Sequence, residues 1–356
     1  AFMDVAHFFE LPLPPVLRGA CGRKAADLEA FARRFGWQTT ETSWERLVAR
    51  DDVDLVDICT SNVTHMPIGV AAARAGKHVL CEKPIAMNAG EARRMLDAAE
   101  EAGVRHMVAF NYRRVPAIVL AKHLIDQGKL GQITHFDAVY YQDWLVDPGF
   151  PIVWRHDIKE AGSGAHGDMH AHLVDLARYL VGEVEAVTGA QEVFIKERPL
   201  ADGSGTGMVT ADDATYFLAR FQSGALGSFL ATRLATGRKN YMRLEVFGRE
   251  GSLVFNLERL NELQYYSRAD EGPEQGFRTI LVTDSDHPYL SAWWPPGHII
   301  GWEHTFVHEV RDLLLAIANG EGVKPDFYDG LRCQQVLDAV CDSAREGRWV
   351  TVPEEG

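Results

Sequence analysis

The residues best placed for chemistry end a short apolar run, His78-Val79-Leu80-Cys81, which passes straight into Glu82-Lys83-Pro84. A lysine at a strand end can hydrogen-bond a substrate oxygen and stabilise negative charge developing on it. It can equally do no more than pair with Glu82, and spacing alone leaves both readings open. Upstream, Asp54-Leu55-Val56-Asp57-Ile58-Cys59 ends in a similar polar tail, Thr60-Ser61-Asn62. A second cluster is His166-x-Asp168-x-His170-x-His172. On a helix Asp168 and His172 share one face, and so do His166 and His170. A metal site would need these donors to converge at about 2 Å from one point. The two pairs point in different directions, so polar groups near a cleft are favoured and no metal is expected. Glu303-His304 and His308-Glu309 have helical spacing without the metalloprotease order His-Glu-x-x-His, and read as a solvated or interface helix.

Such groups need a frame. Strands over 16–21, 54–59, 78–81 and 106–110 alternate with helices over 24–35, 44–49, 66–75 and 89–102, with Gly36, Gly76 and Gly103 as stops. This alternation predicts an α/β domain with a doubly wound parallel sheet. Ligands of such sheets bind at the carboxyl edge, where Thr60, Asn62, His65, Glu82 and Asn111 lie at or after strand ends. A Rossmann domain also wants a strand and Gly-rich phosphate loop ahead of residue 16. No G-x-G-x-x-G occurs in the first 50 residues, and a βαβ unit takes roughly 30 residues. The first strand and its loop are therefore expected to be missing or incomplete: either the chain as given starts late, or the domain has lost its first element.

From about residue 116 the pattern changes. A helix over 117–127, a strand over 133–141, a Gly-rich turn at 161–164 and a helix over 166–180 come first. Strand-like runs then follow in series at 184–194, 214–221, 225–232, 243–247 and 252–255, and helices over 303–318 and 330–345 close the chain. Strands in series predict a second, α+β domain with a largely antiparallel open sheet, giving domains of 1–115 and 116–356. The aromatic loop over 284–297, with Trp293-Trp294-Pro295-Pro296, is expected to line a site or a subunit contact.

Composition sets outer bounds. Apolar content of 46% and charged content of 24% are ordinary for a globular protein, and a net charge of −14 argues against nucleic acid as the main partner. No apolar run approaches the ~18 residues that span a bilayer, so no membrane is expected. Cys21, Cys59, Cys81, Cys333 and Cys341 contain no Cys-x-x-Cys pair and read as thiols of a reducing compartment, which makes the cytoplasm the expected location.

Several motifs together resemble the Gfo/Idh/MocA family, the glucose-fructose oxidoreductase and inositol dehydrogenase type. Gly76-Lys77-His78-Val79-Leu80-Cys81-Glu82-Lys83-Pro84 matches G-K-H-V-x-x-E-K-P, and the segment 57–65 resembles C-T-P-N-x-x-H. Asn111-Tyr112-Arg113-Arg114 and Trp154-Arg155 fit further landmarks, and 162–172 resembles G-G-G-x-L-x-D-x-G-x-H. The resemblance spans nearly the whole chain. Residues 8–15, 142–144, 196–199, 236–240 and the Trp-Trp-Pro-Pro loop look most like the branch that contains levoglucosan dehydrogenase.

The resemblance implies hydride transfer between NAD(P) and a secondary alcohol of a sugar, anhydrosugar or polyol. It makes Lys83, Asp168 and His172 the catalytic set. It adds Gly22, Arg23, Trp154 and Arg155 to Thr60, Asn62, His65, Glu82, Lys83 and Asn111 as cofactor-binding residues. Tyr112 and Arg113 join the catalytic three at the substrate, and a homodimer or homotetramer that covers the open sheet is implied. Some positions depart from the family pattern. Ala1-Phe2-Met3 and His7 resemble the end of its phosphate loop, with Asp4 where glycine is usual, and a carboxylate beside a pyrophosphate is unfavourable. Gly22 stands where a ribose-binding aspartate is usual, followed by Arg23 and Lys24, which leans toward NADP over NAD. His166 and His170 replace the usual leucine and glycine. Two other readings compete: a metal-dependent hydrolase or isomerase using His166, His170 and His172, and a non-catalytic dinucleotide-binding regulator.

Overall fold

The computed structural model describes residues 1–354, which fall into two compact units, Ala1–Ala109 with Phe306–Leu331, and Phe110–Thr305 with the described residues from Arg332 onward. The first unit thus takes up a segment from far along the chain.

In the first unit, β1 (Gly19–Cys21) pairs in parallel with β2 (Thr39–Glu41), and β3 (Leu55–Ile58), β4 (His78–Cys81) and β5 (His106–Val108) form a parallel sheet in that order. Among the described residues no strand joins the two sheets. The helices between strands start and stop for local reasons. Asn88 Oδ1 accepts the Glu91 N–H at 3.0 Å to cap the helix Ala89–Ala102, and Gly103 ends it at φ 65°, where a side chain would be strained. The core beneath β4 and β5 joins Leu80, Met107 and Ala109 to Leu313. Val108 N donates to Pro325 O at 3.0 Å, and His106 Nδ1 accepts from Phe327 N at 3.1 Å, which ties the segment 306–331 to the sheet's edge.

The second unit is built on a nine-stranded sheet. Its strands are β6 (Ile133–Tyr141), β7 (Val184–Glu192), β10 (Ala214–Phe221), β11 (Leu226–Thr232), β12 (Tyr241–Gly248), β13 (Gly251–Asn256), β14 (Glu262–Ser267), β15 (Arg278–Leu281) and β16 (Val350–Thr351). The order is β15-β14-β13-β12-β6-β11-β10-β7-β16, antiparallel throughout except for β6 beside β11. Side chains alternate between faces, as a one-sided sheet requires. Phe136, Ala138, Tyr140, Phe217 and Phe229 point inward, with the Phe217 and Phe229 rings stacked at 4.3 Å. Tyr216, Leu218 and Leu226 are exposed on the other face. The pair β8 (Glu197–Pro199) and β9 (Thr206–Met208) forms a separate hairpin.

Several features differ from the sequence expectation, among them the strands β2, β14, β15 and β16, which were not expected. The helix expected over 166–180 is not uniform: His166–His170 is one π turn, and the α-helix proper is Ala171–Leu180. π turns are rare and cluster at functional sites. Here the segment's start is gripped from outside, because Asp212 accepts from the N–H groups of Gly164 (2.6 Å) and His166 (2.8 Å). Position 164 must be glycine, since a Cβ there would lie 1.9 Å from the Asp212 carbonyl oxygen. The hairpin β8–β9 was not expected either. Arg198 on it is fully buried and donates to Leu145 O (2.6 Å) and Asp147 O (2.8 Å), a role invisible in the polar string Lys196-Glu197-Arg198.

Candidate active site

Lys83 and Glu82 follow β4, and Lys83 N donates to Glu82 Oε2 at 3.0 Å. The Lys83–Pro84 peptide is cis. His65 opens the helix after β3 and is fully buried. Its Nδ1 lies 2.9 Å from Pro84 O and its Nε2 3.1 Å from Thr60 O. The ring therefore joins the two strand-end turns, and burial holds its pKa below the usual histidine value, against the pull of both carbonyls. Neutral, it donates to one of these carbonyls at a time. In this structure His65 fixes the turn that carries Lys83. The adjoining Cys81 is buried and its thiol is pushed up, so it stays protonated. Gly22 N donates to Glu41 O at 3.2 Å just past β1, and Arg23 is exposed. The ends of β3 and β4 thus present Thr60, Ser61, Glu82 and Lys83 along one carboxyl edge. Hydroxyls, a carboxylate and an ammonium at such an edge suit a dinucleotide.

The second unit gathers the other residues. Asp168 is 20% exposed and lies between two guanidinium groups, with Arg233 Nη2 at 2.7 Å from Oδ2 and Arg155 Nη1 at 3.5 Å from Oδ1. Arg155 also lies over the Trp154 ring at 4.4 Å. The His172 ring packs against Tyr112 at 4.4 Å, Tyr140 at 6.3 Å and Phe110 at 6.4 Å. Tyr140 connects the two parts: burial, chiefly, and the neighbouring Tyr112 and Asp168 hold its phenol well above the usual tyrosine pKa.

A hydrogen-bond chain runs from the same tyrosines, and its direction follows from donor-only indole groups at both ends. Trp302 Nε1 donates to Tyr112 Oη (3.3 Å), which donates to Tyr140 Oη (2.9 Å), which donates to Asn240 Oδ1 (2.8 Å). From the other end Trp144 Nε1 donates to Gln142 Oε1 (2.9 Å), and Gln142 Nε2 donates to Asn240 Oδ1 (2.9 Å). Both arms converge on one amide oxygen. The result is a rigid polar wall beside His172.

Other sequence candidates lie elsewhere. Arg113 makes a bidentate pair with Asp175 (2.8 and 2.6 Å), both buried, and sits in the frame of the unit. Asn111 is buried and donates to Thr305 Oγ1 at 2.9 Å. His166 and His170 are fully buried, with their Nδ1 atoms 3.0 Å apart and His166 Nε2 2.9 Å from Leu337 O. A carbonyl only accepts, so His166 carries its proton on Nε2 and takes a hydrogen bond at Nδ1 from His170 Nδ1–H. Burial lowers both pKa values, His170 most strongly, and both rings are neutral. This is packing by a histidine pair. Among the described residues no three candidate ligand side chains come together for a metal.

Sequence reasoning missed Arg233, Asp212, Tyr140 and Asn240. Two of these carried a signal. Along β11 every second side chain, from Gly227 to Ala231, faces inward, and Arg233 falls on that phase; Tyr140 does the same along β6. A charged or hydroxylated residue in the inward phase of an apolar strand needs a buried partner.

Known proteins place the chain. A family model described as "Oxidoreductase family, NAD-binding Rossmann fold" matches residues 5–110, and one described as "GFO/IDH/MocA C-terminal domain" matches residues 118–254. Levoglucosan dehydrogenase of Pseudarthrobacter phenanthrenivorans is 44% identical over 97% of this chain and 90% of its own length. Inositol 2-dehydrogenase of Rhizobium meliloti is 25% identical over 92% of this chain and 88% of its own. Among solved structures, levoglucosan dehydrogenase in complex with NADH and levoglucosan superposes with a TM-score of 0.96 at 42% identity, covering 99% of this chain and 95% of that one. An oxidoreductase domain protein from Kribbella flavida gives 0.97 at 50% identity, over 99% and 94%.

Proposed function

The chain belongs to the GFO/IDH/MocA family of NAD-binding oxidoreductases, and from that premise we propose that it oxidises a secondary alcohol of a sugar, anhydrosugar or polyol, with Lys83, Asp168 and His172 as its catalytic set. The observation that carries this reading is the segment Gly164–His172, held at its start by Asp212, with Asp168 between two guanidiniums and His172 against Tyr112. Levoglucosan, bound in the solved relative, is the first substrate to try.

The nicotinamide, when bound, supplies the hydride acceptor at its C4. The residues manage the rest. His172, as a neutral imidazole, takes the hydroxyl proton; Lys83 steadies negative charge on the substrate oxygen; Asp168, held as a carboxylate, accepts a hydrogen bond from the substrate. Tyr112 closes one side with its ring against His172. For the dinucleotide, Thr60, Asn62 and Glu82 form the edge in the first unit, and Gly22 with Arg23 meets the adenosine ribose. No carboxylate stands at Gly22 or Arg23 to repel a 2′-phosphate, so both NADP and NAD are expected to bind, and NADH in the solved relative makes NAD the first to measure.

The exposed face of the nine-stranded sheet, with Tyr216, Leu218 and Leu226, is proposed as the contact of a homodimer or homotetramer. Among the described residues no helix is long and apolar enough to cross a membrane.

The test is hydride transfer, followed at the nicotinamide absorbance, with NAD and NADP against levoglucosan, inositols and aldoses. Lys83→Met and His172→Gln should each lower kcat/KM by about 10²–10⁴-fold, and dinucleotide binding should persist in His172→Gln. Full activity in either variant, or no hydride transfer to either dinucleotide from any of these substrates, refutes the reading.

A further inference from the structure

We infer that Arg233 is a positioning residue for the reaction: it holds the Asp168 carboxylate as a hydrogen-bond acceptor and sets the angle at which that carboxylate is presented. The inference rests on the catalytic set proposed above. Arg233 follows β11 on the inward phase and is 2% exposed. Its backbone N–H donates to Asp213 O at 3.1 Å, anchoring it from below. Its Nη2 donates to Asp168 Oδ2 (2.7 Å) and to Gly164 O (3.2 Å), so one nitrogen holds both the carboxylate and the turn that carries it. Its guanidinium carbon lies 5.6 Å from the centre of the Trp144 ring, at one end of the polar wall.

Two observations separate this from ordinary packing. First, Arg233 Nε is buried without a hydrogen-bond partner. A buried N–H left unpaired costs stability, and an apolar side chain of similar size would avoid that cost. Second, the rival cation is weaker. Arg155 is 38% exposed and 3.5 Å from the other carboxylate oxygen, where solvent screens it. The groups near Asp168 include Arg233, Arg155 and the Tyr140 phenol, with His166, His170 and His172 on its own segment and Asp212 at the segment's start. Arg233 is the only fully buried cation among these.

A carboxylate so held accepts and does not donate. Proton transfer is then left to His172, and a substrate must offer Asp168 a hydroxyl.

The experiment measures log(kcat/KM) against pH for Arg233→Met, Arg233→Lys, Asp168→Asn and the double variant Asp168→Asn/Arg233→Met, with the oxidised dinucleotide saturating. Removing a neighbouring cation lets a carboxylate protonate at higher pH. Asp168 titrates below the step set by His172, so it is this lower, carboxylate step of the acid limb that Arg233→Met should move up, by about 1–3 pH units. At neutral pH it should lower kcat/KM by about 10²-fold, since the carboxylate also loses its aim. Arg233→Lys keeps the charge, so its limb should stay with the wild type while its rate falls; this variant carries the test if Arg233→Met does not fold. In the Asp168→Asn background, Arg233→Met should leave the limb unmoved. A uniform loss of rate with no change in profile shape, or a limb that moves equally with and without Asp168, overturns the inference. An Asp168→Asn enzyme with wild-type kcat/KM would instead overturn the catalytic set itself.

Discussion

Replacing Asp212 by alanine is a direct test of how the site is built. The carboxylate is 9% exposed and accepts from Gly164 N (2.6 Å), His166 N (2.8 Å) and Thr215 Oγ1 (3.0 Å). Each hydrogen bond to a charged group is worth about 1.5–3 kcal/mol, and each donor orphaned in the interior costs about 1–3 kcal/mol. Three such losses, partly relieved by water entering the space of the missing carboxylate, give an expected destabilisation of about 3–5 kcal/mol. Asparagine keeps an acceptor oxygen but turns an amide donor toward a second donor, so Asp212→Asn should lose about half as much. Urea unfolding followed by tryptophan fluorescence is suited to this, because six of the eight tryptophans belong to the second unit. Activity under native conditions should fall about 10²-fold in the alanine variant, because Asp168 and His172 ride on the segment that Asp212 holds. A variant within 1 kcal/mol of wild type and with unchanged kcat would refute the argument that this carboxylate builds the π turn.

Two further predictions concern the frame. Arg113→Met should destabilise by about 3–5 kcal/mol, because it removes two charge-assisted hydrogen bonds from a buried carboxylate, and Arg113→Met/Asp175→Leu should recover part of the loss; KM measured on the folded fraction should stay at the wild-type value, and a raised KM would place Arg113 at the substrate. Acid stability follows from His65, His156, His166 and His170, all buried, with pKa values lowered by burial and that of His156 depressed to about 4. Their unfolded forms bind protons below about pH 6.5 while the folded forms do not, so stability is full above that pH and falls as pH drops, by about 1.4 kcal/mol per unit for each histidine until its folded pKa is reached. Urea midpoints at pH 7.5 and 5.5 check the sign, and a midpoint unchanged or higher at pH 5.5 would refute it.

The sequence by itself determined the features that depend on local pattern. Alternating strands and helices of regular length placed β3, β4 and β5 with their polar ends, and the strand-like runs over 133–141 and 214–221 placed β6 and β10. The type and spacing of Lys83, Asp168 and His172 marked them as candidates because the motifs that hold them are contiguous in the chain. What tertiary structure alone decided is which residues contact them. Asp168 meets Arg233 across 65 residues of chain, and Gly164 meets Asp212 across 48. Nothing in a local window records such pairings, since each depends on which strands lie side by side in the nine-stranded sheet. The same reason explains Arg113 and the histidine pair. A sequence shows a cation or an imidazole near a motif, but whether it faces a cleft or a buried partner depends on Asp175, 62 residues away, and on the Leu337 carbonyl, 171 residues away. Residue type set what chemistry each group could do, and long-range packing decided whether it does that chemistry or holds the group that does.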